Sequence, residues 1–140
     1  IPARTEVMCV SPPVVLDGSH NDDSTHALAS VLRTYLADQK ILAVMGMMAD
    51  KDCEQALRNL KGCFAKVIAV TPSNPRAMDA DAFCALLRKN GYTAEAVAIP
   101  SEGVVEAFRQ MDRYDALVIC GSLYLASDVR ETIKEITASL

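Results

Sequence analysis

The feature that most constrains the fold of this chain is an alternation of short apolar runs with amphipathic segments. The apolar runs are predicted strands, namely Val7–Val10 with Val14–Leu16, then Ile41–Val44, Val67–Val70, Ala94–Ile99 and Ala116–Cys120. After the broken first run, they lack the polar alternation of a half-exposed sheet. Continuous apolar strands are typical of a parallel sheet that helices cover on both faces.

The segments between and after these runs carry apolar residues at helical spacing. The five stripes are Leu28, Val31, Leu32, Tyr35 and Leu36; Cys53, Ala56, Leu57 and Leu60; Phe83, Leu86 and Leu87; Val104, Val105, Phe108 and Met111; and Val129, Ile133, Ile136 and Leu140. Strand and helix thus alternate, which indicates right-handed crossovers. We predict a single domain over residues 1–140 with a Rossmann-like, three-layer α/β fold. Its mostly parallel sheet of five to six strands has helices on both faces, and Pro12-Pro13 splits the first strand into an edge piece and a core piece.

Composition narrows the class of protein. The net charge of −4 gives no support for nucleic acid or an anionic membrane as a partner, and no apolar run reaches the roughly 20 residues that span a bilayer. The five cysteines form no C-x-x-C pair, so we expect reduced core residues of a cytoplasmic protein, with metal ligation by Cys53 or Cys63 as the alternative. The chain opens on Ile1 rather than Met, which suggests a piece of a longer protein.

Polar clusters follow four of the predicted strands. They are Asp17-Gly18-Ser19-His20-Asn21, Asp50-Lys51-Asp52, Thr71–Arg76 and Gly121-Ser122-Leu123-Tyr124. In a parallel sheet these turns share the carboxyl edge, which is where open α/β proteins bind ligands. We therefore predict one site at that edge, and the first cluster is its most informative part.

Helix capping is the simpler explanation for many of these residues. Asp50, Ser101 and Ser127 or Asp128 are predicted N-caps. Capping does not explain why cations and an imidazole fall on one edge. His20 is predicted to be exposed at a helix start, where it can donate to an anion or a carboxylate, whereas His26 is predicted to be a surface residue.

Several familiar motifs are missing from the sequence. It contains no phosphate loop and no G-x-G-x-x-G after a strand, so this chain does not supply a main phosphate cradle. No Cys or His lies at zinc-ligand spacing from His20, and no metal site is predicted. Gly121-Ser122-Leu123 lacks the flanking glycines of a hydrolase nucleophile elbow.

Taken in order, the clusters resemble the C-terminal domain of the folylpolyglutamate synthase and dihydrofolate synthase family, which belongs with the Mur ligases. The matching motifs are Arg4 with Glu6, Asp17–Asn21, Asp50–Asp52, Asn74–Ala77 and Gly121–Leu125. Members of the family usually have Ala where Ser19 stands and often Pro where Asp22 stands, and Gly is common at the positions of Ala3 and Ser127. The extra charge of Asp22 is expected to weaken the binding of an anion nearby.

The resemblance implies an ATP-dependent ligase that phosphorylates a folate or dihydropteroate carboxyl group and joins it to L-glutamate. An N-terminal phosphate-loop domain, absent from this chain, is expected to hold most of the ATP and the Mg²⁺. The residues implied for the site are Arg4 and Asp17 for ATP, His20 as the catalytic residue beside the reacting phosphate or the glutamate, and Ser122 and Lys51 for glutamate.

Three alternatives stay open on the sequence. Arg76, like Lys51, is either a second cation near the substrate carboxylates or a structural charge. The chain can instead be the corresponding domain of another Mur-type amino-acid ligase, although the Gly121–Leu125 stretch argues against that reading. It can also be a free-standing α/β binding module without catalysis.

Overall fold

The computed structural model describes residues 5–50 and 52–140, so the predictions for Arg4 and Lys51 fall outside the described residues. In the described part, strands and helices alternate as the sequence predicts. The strands are β1 (Thr5–Cys9), β2 (Val14–Asp17), β3 (Ile41–Met45), β4 (Lys66–Ala69), β5 (Ala94–Ala96) and β6 (Ala116–Cys120). The helices are α1 (Asp22–Tyr35), α2 (Cys53–Asn59), α3 (Ala80–Lys89), α4 (Pro100–Gln110) and α5 (Leu123–Thr137), with a short 3₁₀ turn at Met111–Arg113.

The strands form one sheet in the order β1-β2-β6-β3-β4-β5, and every neighbouring pair after the first is parallel. Helices α1, α2 and α3 cover one face, where Phe83 and Met45 are fully buried, and α4 and α5 cover the other around Leu16 and Ile119. Each fully buried side chain of this size contributes about 1.5–3 kcal/mol to folding. The predicted three-layer α/β fold is confirmed.

The first strand is split at Pro12-Pro13 into an edge piece and a core piece, as predicted, but the two pieces pair with each other. β1 and β2 are two antiparallel strands joined by a turn over residues 10–13, with Thr5 paired to Asp17. The turn contains Pro12-Pro13, and the strand is interrupted there because proline cannot donate to a strand ladder. β1 is the edge strand as predicted, and Glu6 ties it to α5 through an ion pair with Arg130. The reversal brings the start of β1 to the carboxyl end of β2.

Two element boundaries also differ from the prediction. β5 ends at Ala96 rather than Ile99, because α4 begins at Pro100 with Ile99 as its N-cap. Proline is favoured in the first turn of a helix, where the backbone N–H has no partner within the helix. Because the helix begins at Pro100, Ser101 lies inside it and is not the predicted N-cap. In the apolar stripes, Tyr35 and Leu140 are exposed, because each lies at or beyond the end of its helix.

The predicted caps of two further helices are displaced. The N-cap of α2 is Asp52 rather than Asp50, whose carboxylate instead accepts from the Asp52 amide at 2.9 Å. The N-cap of α5 is Ser122, so Ser127 and Asp128 lie inside the helix.

All five cysteines carry free thiols, as the sequence predicts. Cys53, Cys84 and Cys120 are buried, and Cys9 and Cys63 are half-buried. Burial, with smaller contributions from Asp50 and Glu54, raises the pKa of the Cys53 thiol to about 11. Over residues 5–50 and 52–140, no helix has the length and apolar character needed to cross a membrane.

Candidate functional site at the carboxyl edge of the sheet

The site lies where two adjacent strands send their loops to opposite faces of the sheet. β2 leads into α1 on one face, while its parallel neighbour β6 leads into α5 on the other. Such a divergence leaves a crevice at the carboxyl ends of the strands, and ligands of open α/β folds bind there. The structure thus brings Asp17, His20 and Ser122 to one edge.

Glycines let the loops at this edge approach closely. A β-carbon at Gly18 would overlap the side chain of Leu123, and one at Gly121 would overlap the carbonyl oxygen of Gly46. Gly121 also has a φ of 112°, in the region that L side chains rarely adopt. The loops after β2, β3 and β6 therefore form one packed rim.

Asp17 is buried at the end of β2, with 1% of its surface exposed. One carboxylate oxygen accepts from the Thr5 hydroxyl, and the other accepts from the Ser19 amide at 2.7 Å and from the Ser19 hydroxyl. A carboxylate has about four acceptor positions, so three are occupied within the chain. Asp17 consequently joins the start of β1 to the loop that carries His20.

His20 is half-buried rather than exposed as predicted, because its ring turns back onto its own loop. Its Nδ1 lies 3.0 Å from the Gly18 carbonyl oxygen. A carbonyl only accepts hydrogen bonds, so Nδ1 must carry the hydrogen, and Nε2 is the ring nitrogen left for a ligand. His26 is exposed, as predicted.

The start of α1 holds the backbone of His20 in place. Asn21 is the N-cap, and its side-chain oxygen accepts from the Ser24 amide at 2.8 Å. The Ser24 hydroxyl oxygen accepts from the Asn21 amide and from the His20 amide, each at 3.0 Å. This capping box fixes the position from which the imidazole projects.

Ser122 is 2% exposed and caps α5. Its hydroxyl oxygen accepts from the Tyr124 amide at 3.0 Å and from the Leu125 amide at 3.4 Å. Ser122 is therefore the N-cap of α5, a role that the sequence analysis assigned to Ser127 or Asp128. Its hydroxyl proton remains available to donate a hydrogen bond to a substrate.

Two further loops meet along the same edge. Met48, after β3, forms an antiparallel bridge with Ala77, after β4. The Ala49 amide donates to the Arg76 carbonyl at 2.9 Å, and the Met78 amide donates to the Met47 carbonyl at 2.8 Å. The loop after β3, which in sequence leads to Lys51, is thus joined to the loop that carries the exposed Arg76.

Two contacts at this edge were missed by sequence reasoning. The Asp128 carboxylate, on α5, accepts from the Ser73 amide at 2.8 Å. The Asp22 carboxylate accepts from the Asn59 side-chain amide at 2.8 Å, so its charge is directed toward α2. No local pattern predicts either pair, since the partners are 55 and 37 positions apart.

A concavity lies between β1 and α1, with a volume of about 420 Å³. Its lining includes Val7, Val10 and Tyr35 and contains no charged side chain. An apolar groove of this kind offers nothing to a phosphate or an amino-acid carboxylate. The carboxyl edge is therefore the better candidate site.

Comparisons with known proteins identify the family to which this chain belongs. A family model described as Mur ligase, glutamate ligase domain, matches residues 3–123. The chain belongs to this family.

Relatives with established names are longer than this chain. Folylpolyglutamate synthase of Lacticaseibacillus casei is 36% identical over 135 residues, which are 94% of this chain and 29% of that protein. The structure of Mycobacterium tuberculosis folylpolyglutamate synthase complexed with ADP and AMPPCP matches with a TM-score of 0.83 and 25% identity, over 95% of this chain and 32% of that one. Escherichia coli FolC in complex with DHPP and ADP matches with a TM-score of 0.83 and 25% identity, over 97% of this chain and 32% of that one. The chain spans about a third of the length of these relatives.

Proposed function

We propose that this chain is the C-terminal part of an ATP-dependent ligase that joins L-glutamate to a carboxyl group of folate. The single observation that carries the proposal is the packing of the loops after β2 and β6, which carry Asp17, His20 and Ser122, at one edge of the sheet in a chain of the glutamate ligase family. Relatives that share this domain are folylpolyglutamate and dihydrofolate synthases. Addition of glutamate to dihydropteroate uses the same chemistry with another acceptor.

The proposed reaction has two steps. The acceptor carboxylate attacks the γ-phosphorus of ATP, giving an acyl phosphate and ADP. The amine of glutamate then attacks the acyl carbon, loses a proton, and expels inorganic phosphate as the amide bond forms. Such a sequence depends on positioning and on charge stabilisation more than on a covalent group from the protein.

His20 is the proposed catalytic residue. Its Nδ1 hydrogen is committed to the Gly18 carbonyl, so only Nε2 can meet the reacting phosphate or the incoming glutamate. When the ring is protonated, Nε2 donates to phosphate oxygen; when it is neutral, Nε2 accepts from an ammonium group. The capping box of α1 keeps this nitrogen in a fixed position.

Asp17 and Arg4 are the proposed contacts to ATP. Three hydrogen bonds leave the Asp17 carboxylate one of its about four acceptor positions for a nucleotide. Thr5, which follows Arg4 in the chain, pairs with Asp17 at the same edge. A guanidinium is well suited to phosphate because it donates two parallel hydrogen bonds.

Lys51, Ser122 and Arg76 are the proposed contacts to glutamate. Of the three, Arg76 has the most structural support as a glutamate contact. It is exposed on a loop of the carboxyl edge and has no ion-pair partner among the described residues. Its planar fork fits a carboxylate.

Mg²⁺ is assigned to the remainder of the polypeptide, together with the phosphate-loop domain that binds most of the ATP. Within residues 5–50 and 52–140, no three His, Cys, Asp or Glu side chains converge as a metal site requires. The proposed location is the cytoplasm, which the five free thiols support.

The test is steady-state kinetics of the protein at its full length, with folate, glutamate and Mg-ATP. One charge-assisted hydrogen bond is worth roughly 1.5–3 kcal/mol, so Arg4→Ala is expected to lower kcat/KM for ATP by about 10- to 100-fold. Arg4→Lys is expected to restore only part of the lost kcat/KM, because an ammonium group lacks the planar pair of donors of a guanidinium. Arg113→Ala, on the exposed 3₁₀ turn before β6, is the matched control. Folate-independent release of phosphate, or no transfer of labelled glutamate, would show that the reaction is a different one.

A further inference from the structure

The loop between β4 and α3 is hydrogen-bonded to helix α5 through two residues that are 55 positions apart in the chain. Asp128 lies in the second turn of α5, and its Oδ2 accepts from the Ser73 amide at 2.8 Å. A bond between a carboxylate and an amide is charge-assisted and stronger than one between neutral groups. Ser73 stands three positions before Arg76 on the same loop.

Both backbone polar groups of Arg76 are hydrogen-bonded. Its amide donates to the Asn74 side-chain oxygen at 2.9 Å, and its carbonyl accepts from the Ala49 amide at 2.9 Å. With the Asp128 bond, the loop is attached to itself, to the loop after β3 and to α5. The Arg76 side chain is left exposed on a well-fixed backbone.

Within residues 5–50 and 52–140, the Asp128 side chain has no other hydrogen bond or ion pair. α5 is capped by Ser122, and the ion pairs of this helix among the described residues involve Arg130 and Lys134 instead. Six positions separate Ser122 from Asp128, which is about 9 Å along a helix axis. The same helix therefore packs against the loop after β2 at its first turn and holds the Arg76 loop at its second.

We propose that Asp128 is a positioning residue for the amino-acid subsite: by holding the Ser73 amide, it sets the place of the Arg76 guanidinium for the carboxylate of glutamate. This inference rests on the proposed function. It assigns Asp128 no contact with any substrate, and it predicts that its effect passes through Arg76.

The experiment measures KM for glutamate and for ATP in the protein at its full length. Loss of one hydrogen bond predicts that Asp128→Ala raises KM for glutamate roughly 2- to 10-fold and leaves KM for ATP unchanged. Asp128→Asn keeps a side-chain acceptor, so a smaller rise is expected. Glu131→Ala is the control, because Glu131 is one turn further along α5 and, among the described residues, forms an ion pair only with Lys134 across the helix surface.

A double-mutant cycle decides whether the effect passes through Arg76. In an Arg76→Ala background, Asp128→Ala is expected to add nothing to KM for glutamate. Additive effects, an equal rise in KM for ATP, or no effect of either variant on glutamate would overturn the inference.

Amide hydrogen exchange of residues 73–78 separates this inference from the proposed function. Faster exchange in Asp128→Ala, together with the selective rise in KM, supports it. Faster exchange with normal kinetics would mean that the contact between Asp128 and Ser73 is purely structural. The proposed subsite role would then be wrong, while the ligase assignment would stand. Failure of the wild-type protein to ligate glutamate overturns the proposed function, and the subsite role with it.

Discussion

The side chain of Leu123 occupies the space that a β-carbon at residue 18 would need. Leu123 begins α5 and Gly18 follows β2, so the contact joins the two loops that border the crevice. At Gly121 the neighbour is the carbonyl oxygen of Gly46, which is part of the backbone. The two glycines therefore allow close approach for different reasons, since Leu123 is 58% exposed and can turn away, whereas a backbone carbonyl cannot.

This difference predicts unequal costs for the same substitution. Gly121→Ala combines an unfavourable φ with a backbone clash, and we expect it to lower the free energy of unfolding by about 2–4 kcal/mol. Gly18→Ala is expected to cost less than about 1 kcal/mol, because the clash is relieved by rotating an exposed side chain. Urea unfolding of the two variants measures both values, and equal losses would contradict the geometry at Gly121.

The cap of α5 gives a second prediction. Ser122→Ala removes the acceptor for the Tyr124 and Leu125 amides and is expected to lower the free energy of unfolding by about 1 kcal/mol. Ser127→Ala serves as the control. Ser127 is exposed inside the helix, where alanine is a better helix former, so a change within about 0.5 kcal/mol is expected. If the control lost as much stability as the Ser122 variant, the helix would begin later than observed.

The sequence predicts the layers and most elements of this fold well, because both carry a local signal. Apolar runs such as Ile41–Val44 are buried on both faces, and Cys53, Ala56, Leu57 and Leu60 are buried at the spacing of one helix face. The reversal between β1 and β2 was not predicted, since a proline pair indicates a break but not the direction that the chain takes after it.

The placement of the candidate residues at one edge was predicted, and the contacts that hold them were not. The shared edge follows from parallel topology, which places the loop of Asp17 and His20 beside the loop of Ser122. The bonds that fix their positions depend on partners far along the chain, as with Thr5 and Asp17 or Ser73 and Asp128. Pairing of this kind depends on strand order and helix placement, which local sequence does not contain.

A polar cluster away from the site predicts a pH effect. Burial alone would raise the pKa of Glu95, but hydrogen bonds from Gln110 and Lys66 outweigh it and lower that pKa below its ordinary value of 4.5. Because the folded-state pKa is the lower one, the carboxylate stabilises the fold above 4.5, and this contribution is lost as the pH falls through the folded-state pKa.

We therefore expect Glu95→Gln to be less stable than the wild type at neutral pH and the difference to shrink under acid. Urea unfolding at neutral pH and in steps below 4.5 provides the measurement. Glu131→Gln is the control, since Glu131 is exposed and its ion pair with Lys134 lies along the helix surface. A gap between wild type and Glu95→Gln that widens on acidification would mean that the Glu95 pKa is raised instead.

The last prediction concerns the 140-residue chain by itself. It has a buried core on each face of its sheet, so we expect it to fold when purified alone, as judged by circular dichroism and cooperative unfolding. We also expect it to bind Mg-ATP more weakly than about 1 mM and to form no folylpolyglutamate. Its proposed contacts to the nucleotide are Arg4, Asp17 and His20, without the phosphate loop or backbone nest that normally holds phosphates.

Those few contacts must offset the several kcal/mol of translational and rotational freedom that a ligand loses on binding. Isothermal titration with Mg-ATP is the measurement, and the protein at its full length is the positive control. Weak binding by the folded chain, with tight binding at full length, supports a site completed by another part of the polypeptide. Micromolar binding by the chain alone would instead indicate a free-standing nucleotide-binding module, and the division of the ATP site proposed above would be wrong.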